Sequence, residues 1–138
     1  MKARSFMILG TSSGVGKSFI TAAFCRLFSN WGYSVAPFKS QNMSNNSFVT
    51  REGGEIGRAQ AVQAECARVE PSIHMNPILL KPSEDNQSQV ILHGKGVGTY
   101  AARANFEKRE VLEKSVRESY EKMASEYQNM VIERAGSP

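Results

Sequence analysis

Gly10-Thr11-Ser12-Ser13-Gly14-Val15-Gly16-Lys17-Ser18 separates two stretches of opposite character. Before it, Ser5 to Leu9 is a short apolar run bounded by Gly10, the pattern of a buried strand. After it, Ile20, Phe24, Leu27 and Trp31 recur at helical spacing, and Gly32 stands where a helix C-cap belongs. Strand, glycine-rich loop and helix in this order suit a triphosphate. Such a ligand needs backbone N–H groups converging on its oxygens, glycines that let the main chain wrap without Cβ clashes, a lysine to neutralise charge and a hydroxyl for Mg²⁺. All four are present, although the spacing departs from G-x-x-x-x-G-K-[ST]. Five residues rather than four separate Gly10 from Gly16, and Thr11 stands at the usual first glycine.

Further along, Val35 to Phe38 reads as a second strand, and a strand-helix-strand unit this short joins parallel strands by a right-handed crossover. Ser40 to Gly54, rich in Asn, Ser and Gly, reads as a functional loop. Ile56, Ala59, Val62, Cys66 and Val69 mark a helix that Pro71 stops. Ile78 to Leu80 and Gln89 to Leu92 are short apolar runs, the second a strand candidate. Ala104 to Gln128 is the longest helix, with Leu112, Val116, Tyr120, Met123 and Tyr127 on one face. Glu110–Lys114, Glu113–Arg117 and Glu118–Lys122 are its i,i+4 pairs. Met130 to Glu133 is a closing strand. The alternation predicts one α/β domain over residues 1–138, with a mostly parallel sheet flanked by helices. The last strand ends at a glycine turn with no helix after it, so the sheet is expected to be incomplete at its C-terminal side.

Four sets of side chains carry candidate chemistry beyond the loop. Glu133 ends the last strand at the sheet edge where α/β proteins bind ligands, and can hold Mg²⁺ directly or through water. Glu55, after Gly53-Gly54, is either a second metal carboxylate or a first-turn glutamate complementing a helix dipole. Lys39 ends the second strand at the same edge, placed either to reach a phosphate or substrate carboxylate or simply to face solvent. Gln41, Asn42, Asn45 and Asn46 form a dense set of neutral donors and acceptors suited to a polar substrate, or a loop that merely turns. His74 and His93 lack carboxylate neighbours at triad spacing and read as surface or capping residues. Cys25 and Cys66 lack metal or redox spacing and read as small buried hydrophobes.

Composition narrows the classes. With 41% hydrophobic and 22% charged residues the chain can build a core. No uninterrupted apolar run exceeds four residues, against the ~20 that a membrane span requires, and no signal-peptide pattern follows Lys2 and Arg4. A cytoplasmic protein without a membrane partner is expected. The net charge of +4 is diffuse, and the signs alternate from Arg103 to Lys122, so nucleic acid is not an expected partner.

Five blocks taken together resemble the N-terminal part of the cobyric acid synthase family: Gly10 to Ser18, Pro37 to Ser47, Gly54 to Ala61, Met75 to Pro82 and Val131 to Glu133. The likeness runs along essentially the whole chain, and the Gln41-to-Ser47 and Gly54-to-Ala61 blocks are its most specific parts. The loop with its extra residue is shared more widely, with dethiobiotin synthetase and cobyrinic acid a,c-diamide synthase. The resemblance implies a P-loop fold of the dethiobiotin synthetase type and an ATP- and Mg²⁺-dependent ligase. Its substrate would be a corrinoid, adenosylcobyrinic acid a,c-diamide, amidated at its b, d, e and g carboxylates through acyl phosphates. It further implies that Thr11, Ser12, Ser13, Gly14, Val15, Gly16, Lys17, Ser18 and Phe19 hold the nucleotide, and that Ser18, Glu55 and Glu133 hold Mg²⁺. Lys17 and Lys39 would act on the γ-phosphate and substrate carboxylate, with Gln41, Asn42, Asn45 and Asn46 facing the substrate.

Two departures from the family pattern stand out. Arg134 replaces the first glycine of Glu-Gly-Ala-Gly-Ser-Pro, which matters if that glycine serves a positive φ or close ligand approach. The glutaminase domain that supplies ammonia in this family, with its Cys nucleophile and His partner, has no counterpart here, so this chain alone is expected not to use glutamine. A dethiobiotin-synthetase-like carboxylate enzyme is one alternative. The other is a non-catalytic nucleotide-binding module, whose nearest relatives carry a second lysine where this chain has Ser12.

Overall fold

A computed structural model describes residues 2–12, 14, 16–101 and 108–136. The elements are β1 (Arg4–Ile8), α1 (Lys17–Asn30), β2 (Val35–Phe38), β3 (Gln41–Met43), β4 (Ser47–Val49), β5 (Glu55–Gly57) and α2 (Arg58–Ala67). A 3₁₀ turn (Ile73–Met75), β6 (Ile78–Pro82), β7 (Gln87–Leu92), β8 (Lys95–Ala101), α3 (Arg109–Glu126) and β9 (Asn129–Glu133) follow. The central sheet is parallel, in the order β1-β9-β2, and the three helices pack around it, so the expected α/β class holds.

β9 sits in the middle, with Met130 and Val131 fully buried. On one side Val131 packs with Cys25, Val35 and Ala67, supported by Phe6, Phe24 and Phe28. On the other, Met130 packs with Ala36, Phe38, Met75 and Met123. α2 serves both layers, sending Ala64 to one cluster and Ala67 to the other. Burial pushes the Cys25 thiol up to about 12, so it packs as an inert small hydrophobe.

α1 ends as the sequence suggested. Gly32 takes φ 86°, Tyr33 N–H donates to the Phe28 carbonyl at 3.1 Å and Gly32 N–H to that of Ser29 at 3.0 Å. The rings of Tyr33 and Phe28 close this Schellman motif at 6.1 Å. The predicted apolar stripe of α1 holds only at Phe24, which packs against the Val131 cluster. Lys17, Thr21 and Cys25 face inward, whereas Ile20, Leu27 and Trp31 are largely exposed. The loop must deliver Lys17 to the sheet edge, and that requirement sets the rotation of the helix ahead of its apolar periodicity.

The segment from Ser40 to Gly54 is not a plain loop. β3 pairs in parallel with β6, and β4 pairs antiparallel with β5. β6, β7 and β8 then form an antiparallel meander, giving a second sheet β3-β6-β7-β8. Its last hairpin turns on His93 and Gly94, both left-handed at φ 46° and 81°, the backbone of a two-residue type I′ turn. α2 begins at Arg58, because Ile56 belongs to β5.

α3 runs over Arg109–Glu126, shorter than predicted, and Ala104 to Glu107 lie outside the described residues. Its surface pairs also differ. Arg109–Glu113 at 2.7 Å, Lys114–Glu118 at 4.0 Å and Lys122–Glu126 at 3.0 Å replace the predicted partners. Inward it buries Ser115, Ser119, Met123 and Ala124, with Val116 and Tyr120 partly covered. No helix among the described residues is long and apolar enough to cross a membrane.

Candidate nucleotide and metal site

Strand register builds the site. Ile8 pairs with Glu133 and Phe38 with Ile132, so β1, β9 and β2 end level with one another. The loop after β1, Lys39 after β2 and Glu133 at the tip of β9 are thereby delivered to one edge. A cavity of about 680 Å³ opens there. Of the residues singled out in the sequence, Gly14, Gly16, Lys17, Ser18, Phe19, Lys39, Gln41, Asn42 and Glu133 line it.

Gly14 and Gly16 adopt φ 75° and 93°, and a Cβ at either would meet nothing within 4 Å, so the left-handed backbone rather than space calls for glycine. Gly16 caps α1, whose first turn carries no acidic residue and receives no side-chain cap. The N–H groups of Lys17, Ser18 and Phe19 are therefore available to an anion at the positive end of the helix. Thr11 and Ser12 are exposed in the loop, whereas Ser13 and Val15 lie outside the described residues. Lys17 is 9% exposed, and its Nζ donates to the carbonyls of Ser12 at 3.2 Å and Gly136 at 3.1 Å.

Glu133 is the hub. Its Oε1 accepts from Ser18 Oγ at 2.9 Å and from Lys39 Nζ at 3.1 Å, and its Oε2 accepts from Gln63 Nε2 at 3.0 Å. The carboxylate is 3% exposed, so this charge is held by a full set of donors rather than by water. Arg134 lines the same cavity, and its N–H donates to the Ile8 carbonyl at 3.2 Å. Arg134 is not among the residues with positive φ; in this segment that conformation falls on Gly136, at 79°. The arginine therefore meets no backbone penalty and places a third cation beside Lys17 and Lys39.

These donors fit a magnesium nucleotide. Lys17, Lys39, Arg134 and the open N-terminus of α1 suit a polyphosphate, and the Ser18 hydroxyl with the Glu133 carboxylate offers two hard oxygens for Mg²⁺. Among the described residues no three His, Cys, Asp or Glu gather to cage a metal.

The remaining expected residues fall elsewhere. Glu55 pairs with Lys81, whose ammonium holds the carboxyl below its usual value with help from Ser47, and Glu55 does not line the cavity. Asn46 is occupied by Arg58, accepting from its Nε at 3.2 Å and from its N–H at 3.1 Å. Asn45 is exposed and also lies off the cavity. Asn42 reaches inward instead, donating from Nδ2 to Gln60 Oε1 at 3.0 Å.

Three residues of the site were not foreseen. Gln60 and Gln63 are 0% and 1% exposed on α2, on the face that the apolar periodicity assigned to solvent, while Val62 is 47% exposed. The available signal was two glutamines three apart on one helix, interleaved with alanines that let it approach closely. Asn76, 1% exposed, donates to the carbonyls of Lys39 at 3.1 Å and Ile78 at 3.0 Å and accepts from Gly57 N–H at 2.9 Å. It thus ties the Lys39 turn to the start of α2. Asn76→Ala would strand all three backbone groups, and a loss of about 2 kcal/mol in unfolding free energy is expected by urea denaturation.

His74 and His93 form a cluster on α3 rather than surface caps. His93 Nε2 lies 3.1 Å from the Ser115 carbonyl and 3.0 Å from Ser119 Oγ, which in turn lies 2.9 Å from His74 Nδ1. A carbonyl only accepts, so His93 Nε2 carries hydrogen, and the Ser119 hydroxyl bridges the two rings. Burial, reinforced by His93 and Lys122, pushes His74 below the ordinary imidazole value. The folded state then binds fewer protons than the unfolded chain, so this contribution is complete above about pH 6.5 and is lost as pH falls through the lowered folded value. Urea midpoints are expected to drop between about pH 7.5 and about pH 5.5, with a shallower slope in His74→Gln.

Comparison with known proteins shows the family of the chain. The CobQ/CobB/MinD/ParA nucleotide binding domain profile matches residues 6–137. A cobyric acid synthase from Syntrophobacter fumaroxidans is 55% identical over 136 residues, 99% of this chain and 26% of that protein. One from a Thermoanaerobacter species (strain X514) is 56% identical over 136 residues, 99% of this chain and 27% of that protein. A probable cobyric acid synthase from Methanothermobacter thermautotrophicus is 54% identical over 143 residues, 100% of this chain and 28% of that protein. The chain therefore spans about a quarter of the length of these relatives.

Proposed function

This chain belongs to the CobQ/CobB/MinD/ParA nucleotide binding domain family, and on that footing we propose that it carries the ATP site of a synthetase that amidates peripheral carboxylates of a corrinoid. The observation that supports this most is the meeting of Ser18, Lys39 and Glu133 within 3.1 Å, beside a glycine loop that holds Lys17. The names of the relatives supply the cobyric acid direction. The substrate would be adenosylcobyrinic acid a,c-diamide, amidated at its b, d, e and g carboxylates, with ammonia drawn from glutamine by a separate glutaminase domain.

A carboxylate is a poor acyl donor, so the reaction begins with its oxygen attacking the γ-phosphorus of ATP, giving an acyl phosphate and ADP. Ammonia then attacks the acyl carbon, phosphate leaves and the nitrogen gives up its proton, leaving a carboxamide. The protein's part is positioning and charge neutralisation. Lys17 and the N–H groups of the α1 N-terminus would cradle the phosphates, while Lys39, at the end of β2, would draw the carboxylate toward them. Arg134 adds positive charge at the cavity wall. Ser18 and Glu133 would hold Mg²⁺, which would supply positive charge to offset that of the phosphates. Glu55, engaged by Lys81, is left out of that set. Gln41 and Asn42 would contact the substrate from the cavity wall, with Asn42 oriented by Gln60.

Titration calorimetry in the presence of Mg²⁺ and a non-hydrolysable ATP analogue tests the acceptor. Adenosylcobyrinic acid a,c-diamide is expected to bind and diaminopelargonic acid not to bind. The reverse preference would transfer the site to dethiobiotin-synthetase-like carboxylate chemistry.

A further inference from the structure

We infer that Gln63 is the positioning residue of the metal site, fixing which oxygen of Glu133 is offered to the ion. The inference rests on the reading of Ser18 and Glu133 as the Mg²⁺ ligands. Gln63 comes from α2, well away in sequence from both, yet its Nε2 donates at once to Glu133 Oε2 at 3.0 Å and to the Ser18 carbonyl at 3.2 Å. Both partners accept only, so the amide nitrogen must face them and the orientation of the side chain is forced.

That orientation has a cost which packing alone does not explain. Gln63 Oε1 is buried and has no partner among the described residues, and the side chain is 1% exposed. An apolar residue of similar length would fill the same space without orphaning an oxygen. What an apolar residue could not do is bridge β9 to the first turn of α1. With Oε2 occupied by Gln63, the other oxygen, Oε1, is the one directed at Ser18 Oγ and Lys39 Nζ on the cavity side. The amide thus selects Oε1 for the ion and locks the distance between the two ligand-bearing elements, in the way that outer partners of a metal carboxylate set its affinity.

The test uses Mn²⁺ in place of Mg²⁺ and follows free Mn²⁺ by electron paramagnetic resonance in the presence of bound ADP. Gln63→Met, close in volume but without the amide, is expected to weaken Mn²⁺ binding by about 10-fold to 100-fold. Metal-free ADP affinity is expected to stay within about twofold of wild type, because the phosphates meet the loop, Lys17 and the α1 N-terminus rather than Gln63. A merely structural glutamine would leave the Mn²⁺ affinity of the folded variant unchanged, and that result overturns the inference. An equal fall in metal-free ADP affinity overturns it too, since it would report general damage. Glu133→Ala separates this inference from the reading beneath it. If that variant loses Mn²⁺ and Gln63→Met keeps it, only the role of Gln63 fails; if Glu133→Ala also keeps Mn²⁺, the metal assignment fails with it. A measurement that requires no variant stands alongside. The Gln63 side-chain amide resonances of the wild-type ADP complex are expected to shift on adding Mg²⁺, and their indifference would contradict the role.

Discussion

Lys17→Ala is expected to lower affinity for Mg·ATP by more than about 100-fold, corresponding to about 3 kcal/mol for removing one partner of a desolvated charge pair. The physical reason lies in what Lys17 touches. Its ammonium is nearly buried, yet its side-chain partners among the described residues are two carbonyls, those of Ser12 and Gly136. Carbonyl dipoles hold a cation in place without cancelling its charge, so full Coulombic attraction remains for an anion entering the cavity. At an effective dielectric of about 20 and about 4 Å that attraction is of order 4 kcal/mol per unit charge. Folding depends on it little, since deleting the ammonium also removes its desolvation cost. Titration calorimetry with excess Mg²⁺ and a thermal melt of the same variant check both halves. Unchanged affinity in a folded variant would remove the phosphate-binding assignment of the loop.

Glu133→Ala is expected to act on stability as well as on the metal. The carboxylate gathers Ser18, Lys39 and Gln63, and the Lys39 side chain is only 13% exposed beside it. Removing the acceptor leaves an ammonium and an amide facing a small void, and loss of about 3 kcal/mol in unfolding free energy follows from breaking a buried pair on one side. Glu133→Gln is expected to lose less. Its amide oxygen can still accept from Ser18 and Lys39, but its nitrogen then confronts Gln63 Nε2, donor against donor. If Gln63 flips to present Oε1 instead, the Ser18 carbonyl loses its donor. Chemical denaturation should therefore rank wild type above Glu133→Gln and Glu133→Gln above Glu133→Ala. Equal stability of all three would mean that the carboxylate is not the hub of the site.

The parts of this architecture legible in the sequence are those fixed by local chemistry. Gly14, Gly16 and Lys17 announce a phosphate loop because backbone freedom and charge at that spacing have few other uses, and Glu133 at a strand tip follows from parallel-sheet topology. Residues whose partners are distant in sequence gave weaker signals. The inward face of α1 is set by Lys17 and Thr21 rather than by Ile20 and Trp31, since the loop dictates helix rotation. α2 turns Gln60 and Gln63 inward because their partners are Asn42, Ser18 and Glu133, which hydrophobic periodicity ignores. β8, Lys-Gly-Val-Gly-Thr-Tyr-Ala, has too few apolar residues to read as a strand; its clue was the His93-Gly94 turn. Glu55 was legible only as one of two alternatives, a metal carboxylate or a first-turn glutamate; it stands in β5 paired with Lys81, a partner that the second sheet brings alongside.

Whether the cavity at the end of β9 uses ATP to activate a carboxylate is decided most directly by isotope transfer. The carboxylates of adenosylcobyrinic acid a,c-diamide are labelled with ¹⁸O, ATP, Mg²⁺ and free ammonia are supplied so that no glutamine is required, and the phosphate released is read. Transfer of one ¹⁸O to inorganic phosphate for each amide formed is the predicted result, because that oxygen attacks phosphorus and departs with it. Amide formation accompanied by unlabelled phosphate would contradict an acyl phosphate at this site.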